Sequence, residues 1–251
     1  MSAGPELRVL PVPDLPEFAA GMPIGEEVAR AAELLDGDVL VLAQKIVSKV
    51  EGRLRPLDSV QPGPEARRLA ATLDKEPALV ELILAESRTV LRAERGVLIT
   101  ETHHGLVCAN AGVDTSNLPE PGMACLLPED PDASARRIRA EIRKATGVAP
   151  AVIVADSFGR AWRLGQAEVA IGCAGIAPLD DWRGRVDAEG RELHATLIAV
   201  ADQAAAAADL VRDKTSRVPA AIVRGLDHYV TVDEGPGAAA LRRPPAEDLF
   251  R

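Results

Sequence analysis

Hydrophobic and polar positions alternate along this chain in two rhythms, one suited to strands and one to helices. Residues 6–12, ELRVLPV, read as a first strand, and residues 26–35, EEVARAAELL, carry apolar side chains at helical spacing up to an Asp36-Gly37-Asp38 turn. DVLVLAQKIVSK starts as a buried strand, and EGRLRPL reads as another extended piece. Residues 64–94 read as helices, with an apolar stripe through Leu79, Val80, Leu82, Ile83 and Leu84. RGVLITETHHGLVCANAG predicts a hairpin, two apolar runs around His103-His104-Gly105.

In PEDPDASARRIRAEIRKATG, Asp132 or Ser134 is expected to cap a helix that Gly147 ends. AVIVA follows as a strand, then the polar run DSFGRAWRLGQ, then the apolar stretch EVAIGCAGIAPL with its small residues. HATLIAVADQAAAAADLVRDK predicts an alanine-rich helix, since alanine has the best helix propensity. PAAIVRG predicts a last buried strand. From Asp233 onward the chain is rich in Gly, Pro and Ala, and a loose tail is expected. Strands with helices between and after them point to an α/β or α+β fold. No internal repeat or long linker divides residues 1–232, so one domain with a tail over 233–251 is expected.

Composition narrows the classes. The chain has 251 residues, 47% of them hydrophobic, enough to bury a sizeable core. Lys and Arg number 29 against 38 Asp and Glu, a net charge of -9, so no global field attracts nucleic acid. Aromatics are 2%, too few to stack single-stranded bases. Cys108, Cys125 and Cys173 are odd in number and widely spaced, unlike a disulfide framework or a CxxC knuckle. No apolar run approaches a membrane span, and the start lacks the build of a signal peptide. A soluble cytoplasmic protein is expected.

Familiar catalytic signatures fail: there is no G-x-x-x-x-G-K-[ST], no H-E-x-x-H and no G-x-S-x-G. Gly235-Pro236-Gly237 with Ala240 imitates a dinucleotide fingerprint, but too little chain follows for a βαβ unit. His103 and His104 are adjacent at a hairpin tip and read as a solvated turn. Four polar clusters at the ends of apolar runs remain. LPVPDLPEF places Leu15, Pro16, Glu17 and Phe18 on a proline-stiffened shelf. VLAQKIVSK brings Gln44, Lys45, Ser48 and Lys49, whose lysines suit phosphate as point charges. CANAGVDTSN carries Asp114, Thr115, Ser116 and Asn117 in one short loop. DSFGRAWRLGQ offers Asp156 and Ser157 as oxygen ligands for a hard cation, with Asp114 as a second carboxylate. Arg160 and Arg163 add forks for phosphate or carboxylate. Each cluster alone also fits an ordinary turn, a solvated face or a surface salt-bridge network. Together they suggest a metal-assisted site for a phosphorylated, acidic substrate.

Taken in order, GDVLVLAQKIVSKVEGR, NAGVDTSN, DSFGRAWRLGQ and VADQAAAAADLV resemble the coenzyme F-420-0:L-glutamate ligase family, the gamma-glutamyl ligases. The resemblance covers nearly the whole chain, from LPVPDLPEF to PAAIVRG, and is to the stand-alone ligase rather than to members with a nitroreductase-like second domain. It implies an α+β fold with mixed sheets and flanking helices, in a butterfly-shaped homodimer. It also implies GTP-dependent addition of L-glutamate to F-420-0, extension through gamma-linkages, and dependence on Mg2+ or Mn2+ with help from K+. Carried over by motif, Leu15, Pro16, Glu17, Phe18, Gln44, Lys49 and Asn117 would contact nucleotide, and Asp114, Asp156 and Ser157 would hold metal. Ser157 stands where members often have Thr, and Gln44 where some have Ser. Residues 211–216, VRDKTS, replace a glycine-rich run with a glutamate ligand, leaving Lys214 near that position and Asp213 as a substitute ligand. Arg160 and Arg163 are assigned to phosphate or to the acidic substrates; no residue stands out as general base. Two other readings fit: a GTP-binding regulatory dimer without activity, and a related ligase acting on a different carboxylate.

Overall fold

The computed structural model describes residues 6–118, 120–212 and 215–249, so Asp213 and Lys214 lie outside the described residues. Its centre is a five-stranded mixed sheet in the spatial order Arg8–Pro11, Ala220–Arg224, Val39–Ala43, Ala151–Arg160 and Arg163–Ala174. The sheet is assembled from distant parts of the chain. β1 (Arg8–Pro11), α1 (Ile24–Ala31), β2 (Val39–Ala43) and α2 (Gln44–Val50) come first. A second region follows: β3 (Leu54–Pro56), α3 (Pro64–Leu73), α4 (Pro77–Ala85), β4 (Ser87–Glu94), β5 (Val97–Thr102), β6 (Val107–Ala109) and β7 (Met123–Cys125). The chain then returns through α5 (Pro131–Thr146), β8 (Ala151–Arg160), β9 (Arg163–Ala174), β10 (Asp180–Asp181), β11 (Leu197–Ile198), α6 (Val200–Asp209) and β12 (Ala220–Arg224). The fold is α+β.

Strand periodicity builds the core. Leu40, Leu42, Val152, Val154 and Ile222 point to one face of the sheet, where they meet Val28 of α1 and Ile138 and Ile142 of α5. Val39, Val41, Ile153, Ala221 and Val223 point to the other, against Ala201, Ala204, Ala205 and Ala208 of α6. The alanines let that helix lie close to the strands. Buried on both faces, β2, β8 and β12 read as continuous apolar runs. The second region has its own core, including Leu69, Val80, Ile83, Leu98 and Leu126.

Three expectations are corrected. The helical reading of residues 64–94 holds only to Ala85: Asp74 ends α3 in the left-handed region (φ 53°), Pro77 starts α4, and the remainder pairs antiparallel with β5. Partner pairing overrides a weak local preference there. Asp130, not Asp132 or Ser134, caps α5 by accepting from Ala133 N at 2.9 Å, with Pro131 at the first helical position. Asp132 instead accepts from Cys173 N and Ala238 N, each at 2.8 Å. The alanine-rich helix spans only Val200–Asp209, because Leu197 and Ile198 pair with β10. Gly147 does end α5, at φ 81°, and the hairpin around His103-His104-Gly105 forms from β5 and β6.

The stretch from Asp233, expected from its composition to be loose, begins with several ties. Buried Arg139 of α5 donates to Thr231 O at 2.8 Å and Asp233 O at 3.1 Å, and pairs with Glu234 at 3.1 Å. Among the described residues no helix is long and apolar enough to cross a membrane.

Candidate functional site

β2 and β8 are parallel neighbours in an otherwise antiparallel sheet, with Ala43 opposite Ala155. Their carboxyl ends therefore open at one edge, the usual place for a ligand in sheets of this kind. Gln44 begins α2 directly after one strand end, and Asp156 directly follows Ala155 on the other strand. A cavity of about 1200 Å³ lies there. It is lined by Leu15, Pro16, Glu17, Phe18, Gln44, Lys49 and Asn117, and by Asp114, Asp156 and Ser157. Residues from four separate places in the sequence thus meet around one space.

Arg160 and Arg163 are not brought to it. β8 and β9 run past the cavity as an antiparallel hairpin, and both arginines sit exposed near its tip. Arg160 Nη2 donates to Leu164 O at 2.7 Å, closing the turn. Between the two arginines, Trp162 is 82% exposed at φ 60°, and Leu164 beside them is 97% exposed.

The lysines are already partnered. Lys45 Nζ lies 2.7 Å from Asp114 Oδ2 and donates to Ser116 O at 2.6 Å. Lys49, largely buried, forms an ion pair with exposed Glu17. Ser116 N also donates to Asp114 Oδ1, at 2.8 Å. Burial raises the Asp114 carboxyl, but the hydrogen bonds from Lys45 and Ser116 outweigh it and hold the group below its ordinary value. Asp156 behaves oppositely. Burial, and then the negative charge of Glu168, push its carboxyl up to about 7 against the opposing Ser157 amide and Lys45.

Three further residues line the cavity: Lys45, one of the two lysines its motif offers to phosphate, and Glu168 and Arg212, which the sequence does not mark as ligand contacts. Lys45 stands beside Lys49 in the same motif, yet it is the lysine that reaches the carboxylate loop. Glu168 on β9 is the register partner of Ser157 and accepts its hydroxyl at 2.8 Å. Arg212 donates to Glu168 Oε2 at 3.1 Å and to Pro219 O at 3.3 Å. Glu168 sits in an apolar stretch, and only the strand register reveals what it faces. Arg212 follows α6, 44 residues from its partner in sequence.

The donor chemistry fits a hard cation: two carboxylates and a hydroxyl, with no sulfur or imidazole among them. Among the described residues no three His, Cys, Asp or Glu side chains converge into a complete metal cage. Two carboxylates and a hydroxyl suit an ion that completes its shell with water and phosphate oxygens, as Mg2+ does.

An α+β fold that gathers Asp114, Asp156, Ser157, Lys45 and Lys49 around one open cleft beside a parallel strand pair defines the class: a protein with a charged pocket at the strand ends. A match to the F420-0:Gamma-glutamyl ligase family spans residues 14–225. The chain is 45% identical to the coenzyme F420:L-glutamate ligase of Methanopyrus kandleri, over 100% of both chains. It is 46% identical to that of Methanothermobacter thermautotrophicus, covering 87% of this chain and 86% of the relative. With the ligase of Haloarcula marismortui it shares 42% identity over 98% and 96% of the two chains. This chain belongs to the F420-0:Gamma-glutamyl ligase family.

Proposed function

We propose that this protein is a GTP-dependent ligase that forms an amide between L-glutamate and F-420-0, and then extends the tail through gamma-linkages. One observation carries the reading: the nucleotide and metal candidates, scattered from Leu15 to Ser157, line a single cavity at the ends of two parallel strands. The names of the relatives supply the substrates.

A carboxylate is a poor electrophile, so it must be activated. An oxygen of the acceptor carboxylate attacks the γ-phosphorus of GTP, the bond to GDP breaks, and an acyl phosphate forms. The glutamate amine then attacks the acyl carbon, loses a proton, and inorganic phosphate leaves. Such chemistry depends on positioning and on cancelling charge. The Leu15 to Phe18 shelf, Gln44 and Asn117 would hold the nucleotide, and Lys49 would exchange Glu17 for phosphate. Asp114, Asp156 and Ser157 would hold Mg2+ or Mn2+, which when bound neutralises phosphate charge; K+ would add to this. Arg160 and Arg163 receive no step, since they lie outside the cavity. The reading includes a homodimer.

The test is direct. Purified protein is incubated with GTP, Mg2+ or Mn2+, glutamate and F-420-0, and the deazaflavin product is weighed by mass spectrometry. Glutamate-sized mass steps that require GTP are expected. GTP binding without product would replace this reading with a regulatory dimer. Product only with another acceptor would replace it with a related ligase.

A further inference from the structure

The hydrogen bond between Ser157 and Glu168 depends on a fault in the strand pairing. Along β8 and β9 the register runs Val152 with Ala174, Ile153 with Cys173 and Val154 with Gly172. It then jumps, pairing Ala155 with Ala170 and leaving Ile171 as an extra residue. Continued without the bulge, the count would set Ser157 opposite Val169. With the bulge it meets Glu168. Asp202 of α6 fixes the fault in place, accepting from Ala170 N at 2.9 Å. The bulge is thus anchored from the helix behind the sheet, and it re-aims one side chain beside the cavity.

Both oxygens of that carboxylate are engaged. Glu168 Oε1 accepts the Ser157 hydroxyl at 2.8 Å, and Oε2 accepts from Arg212 at 3.1 Å. Glu168 and Arg212 are each only 7% exposed. A carboxylate accepts only, so it forces the serine proton toward itself. The serine oxygen is then set as an acceptor, the polarity a cation ligand needs.

We infer that Glu168 is a positioning residue, which orients the Ser157 hydroxyl as an oxygen donor for a divalent cation while Arg212 holds its second oxygen. This rests on the proposed role of Ser157 as a cation ligand. Substitution to glutamine sharpens the point. The guanidinium of Arg212 demands an acceptor, so the Gln amide turns its oxygen to Arg212 and its NH2 to Ser157. The serine then accepts from the amide and points its proton into the cavity. A group of nearly the same shape reverses the polarity of the ligand.

The experiment measures Mn2+ binding to the whole protein by electron paramagnetic resonance, without turnover, for the wild type, Ser157→Ala, Glu168→Gln and the double variant. Changes to groups that orient a metal ligand cost about 10–100-fold in metal affinity. Glu168→Gln is expected to weaken Mn2+ by about tenfold or more, and the double variant to bind no worse than Ser157→Ala alone. Additive losses, or Mn2+ affinity unchanged by Glu168→Gln, would overturn the inference. Loss with Ser157→Ala but not with Glu168→Gln would sink the inference and leave the ligand reading standing. Unchanged binding in Ser157→Ala would remove the ligand reading itself. If thermal melting shows that Glu168→Gln does not fold, the Glu168→Gln/Arg212→Met pair takes its place, since exchanging both buried charges for neutral groups is often tolerated. There the amide is free to accept from Ser157, and Mn2+ affinity should lie near that of the wild type; a loss as deep as that of Ser157→Ala would count against the polarity argument.

Discussion

Lys45 Nζ sits 2.7 Å from Asp114 Oδ2, so an ammonium group of the protein occupies a carboxylate proposed to meet a metal. Ligand entry must displace it. Lys45→Met removes this competitor, and Mn2+ binding in the absence of nucleotide is expected to tighten by about fivefold, the equivalent of roughly 1 kcal/mol for one ion pair. Titration of Mn2+ into both proteins checks this; weaker binding in the variant would contradict it.

Asp156 carries a carboxyl pushed up to about 7 by burial and by Glu168. A group raised in the folded state contributes stability that is complete below its unfolded value near 4 and lost as pH rises through about 7. Melting temperature should therefore fall between about pH 4 and pH 7 in the wild type, and fall less in Asp156→Asn. The same variant should lose GTP-dependent glutamate addition while keeping its fold. Melting curves at the two pH values and the mass assay test both halves.

Gly172 lies where the start of α5 crosses the sheet. A methyl group there would come within 2.3 Å of the backbone C and O of Pro131. Gly172→Ala should cost about 1–3 kcal/mol of overpacking, read from the midpoint of urea unfolding. An unchanged midpoint would mean that α5 yields more easily than its packing suggests.

Arg139 holds the chain near residues 231–234 through the carbonyls of Thr231 and Asp233 and the carboxylate of Glu234. Arg139→Met takes their donor away, at about 1–3 kcal/mol. Limited proteolysis should then cut close to Val232 well before any site within the sheet.

Cys108 and Cys173 are pushed up to about 12, and Cys125 to about 11, in each case chiefly by burial. The thiolate is the reactive form, so all three should resist iodoacetamide at pH 8 until the protein is unfolded. Mass spectrometry of the intact protein counts the adducts.

Much of the fold and of the site is legible in the residues themselves. The apolar runs of β2, β8 and β12 announce central strands, and the polar residues following β2 and the apolar half of β8 announce a site, because a strand that leaves a core must end in groups that tolerate water. What escapes is whatever depends on pairing between distant segments. SRTVLRAE has no strong preference of its own and becomes a strand only beside β5. Arg160 and Arg163 follow Asp156 closely, yet the hairpin carries them past the cavity. Glu168 owes its place to an extra residue at Ile171, which no periodicity along β9 alone discloses.

The pairing of Lys49 with Glu17 and of Lys45 with Asp114 has a kinetic consequence. A cleft whose two lysines are already matched to carboxylates projects little field from them into solvent, and the chain as a whole carries -9. An anionic ligand is therefore not drawn in from a distance; it must arrive by diffusion and trade partners on contact. Association should depend only weakly on ionic strength, and selectivity should arise in how long the ligand stays.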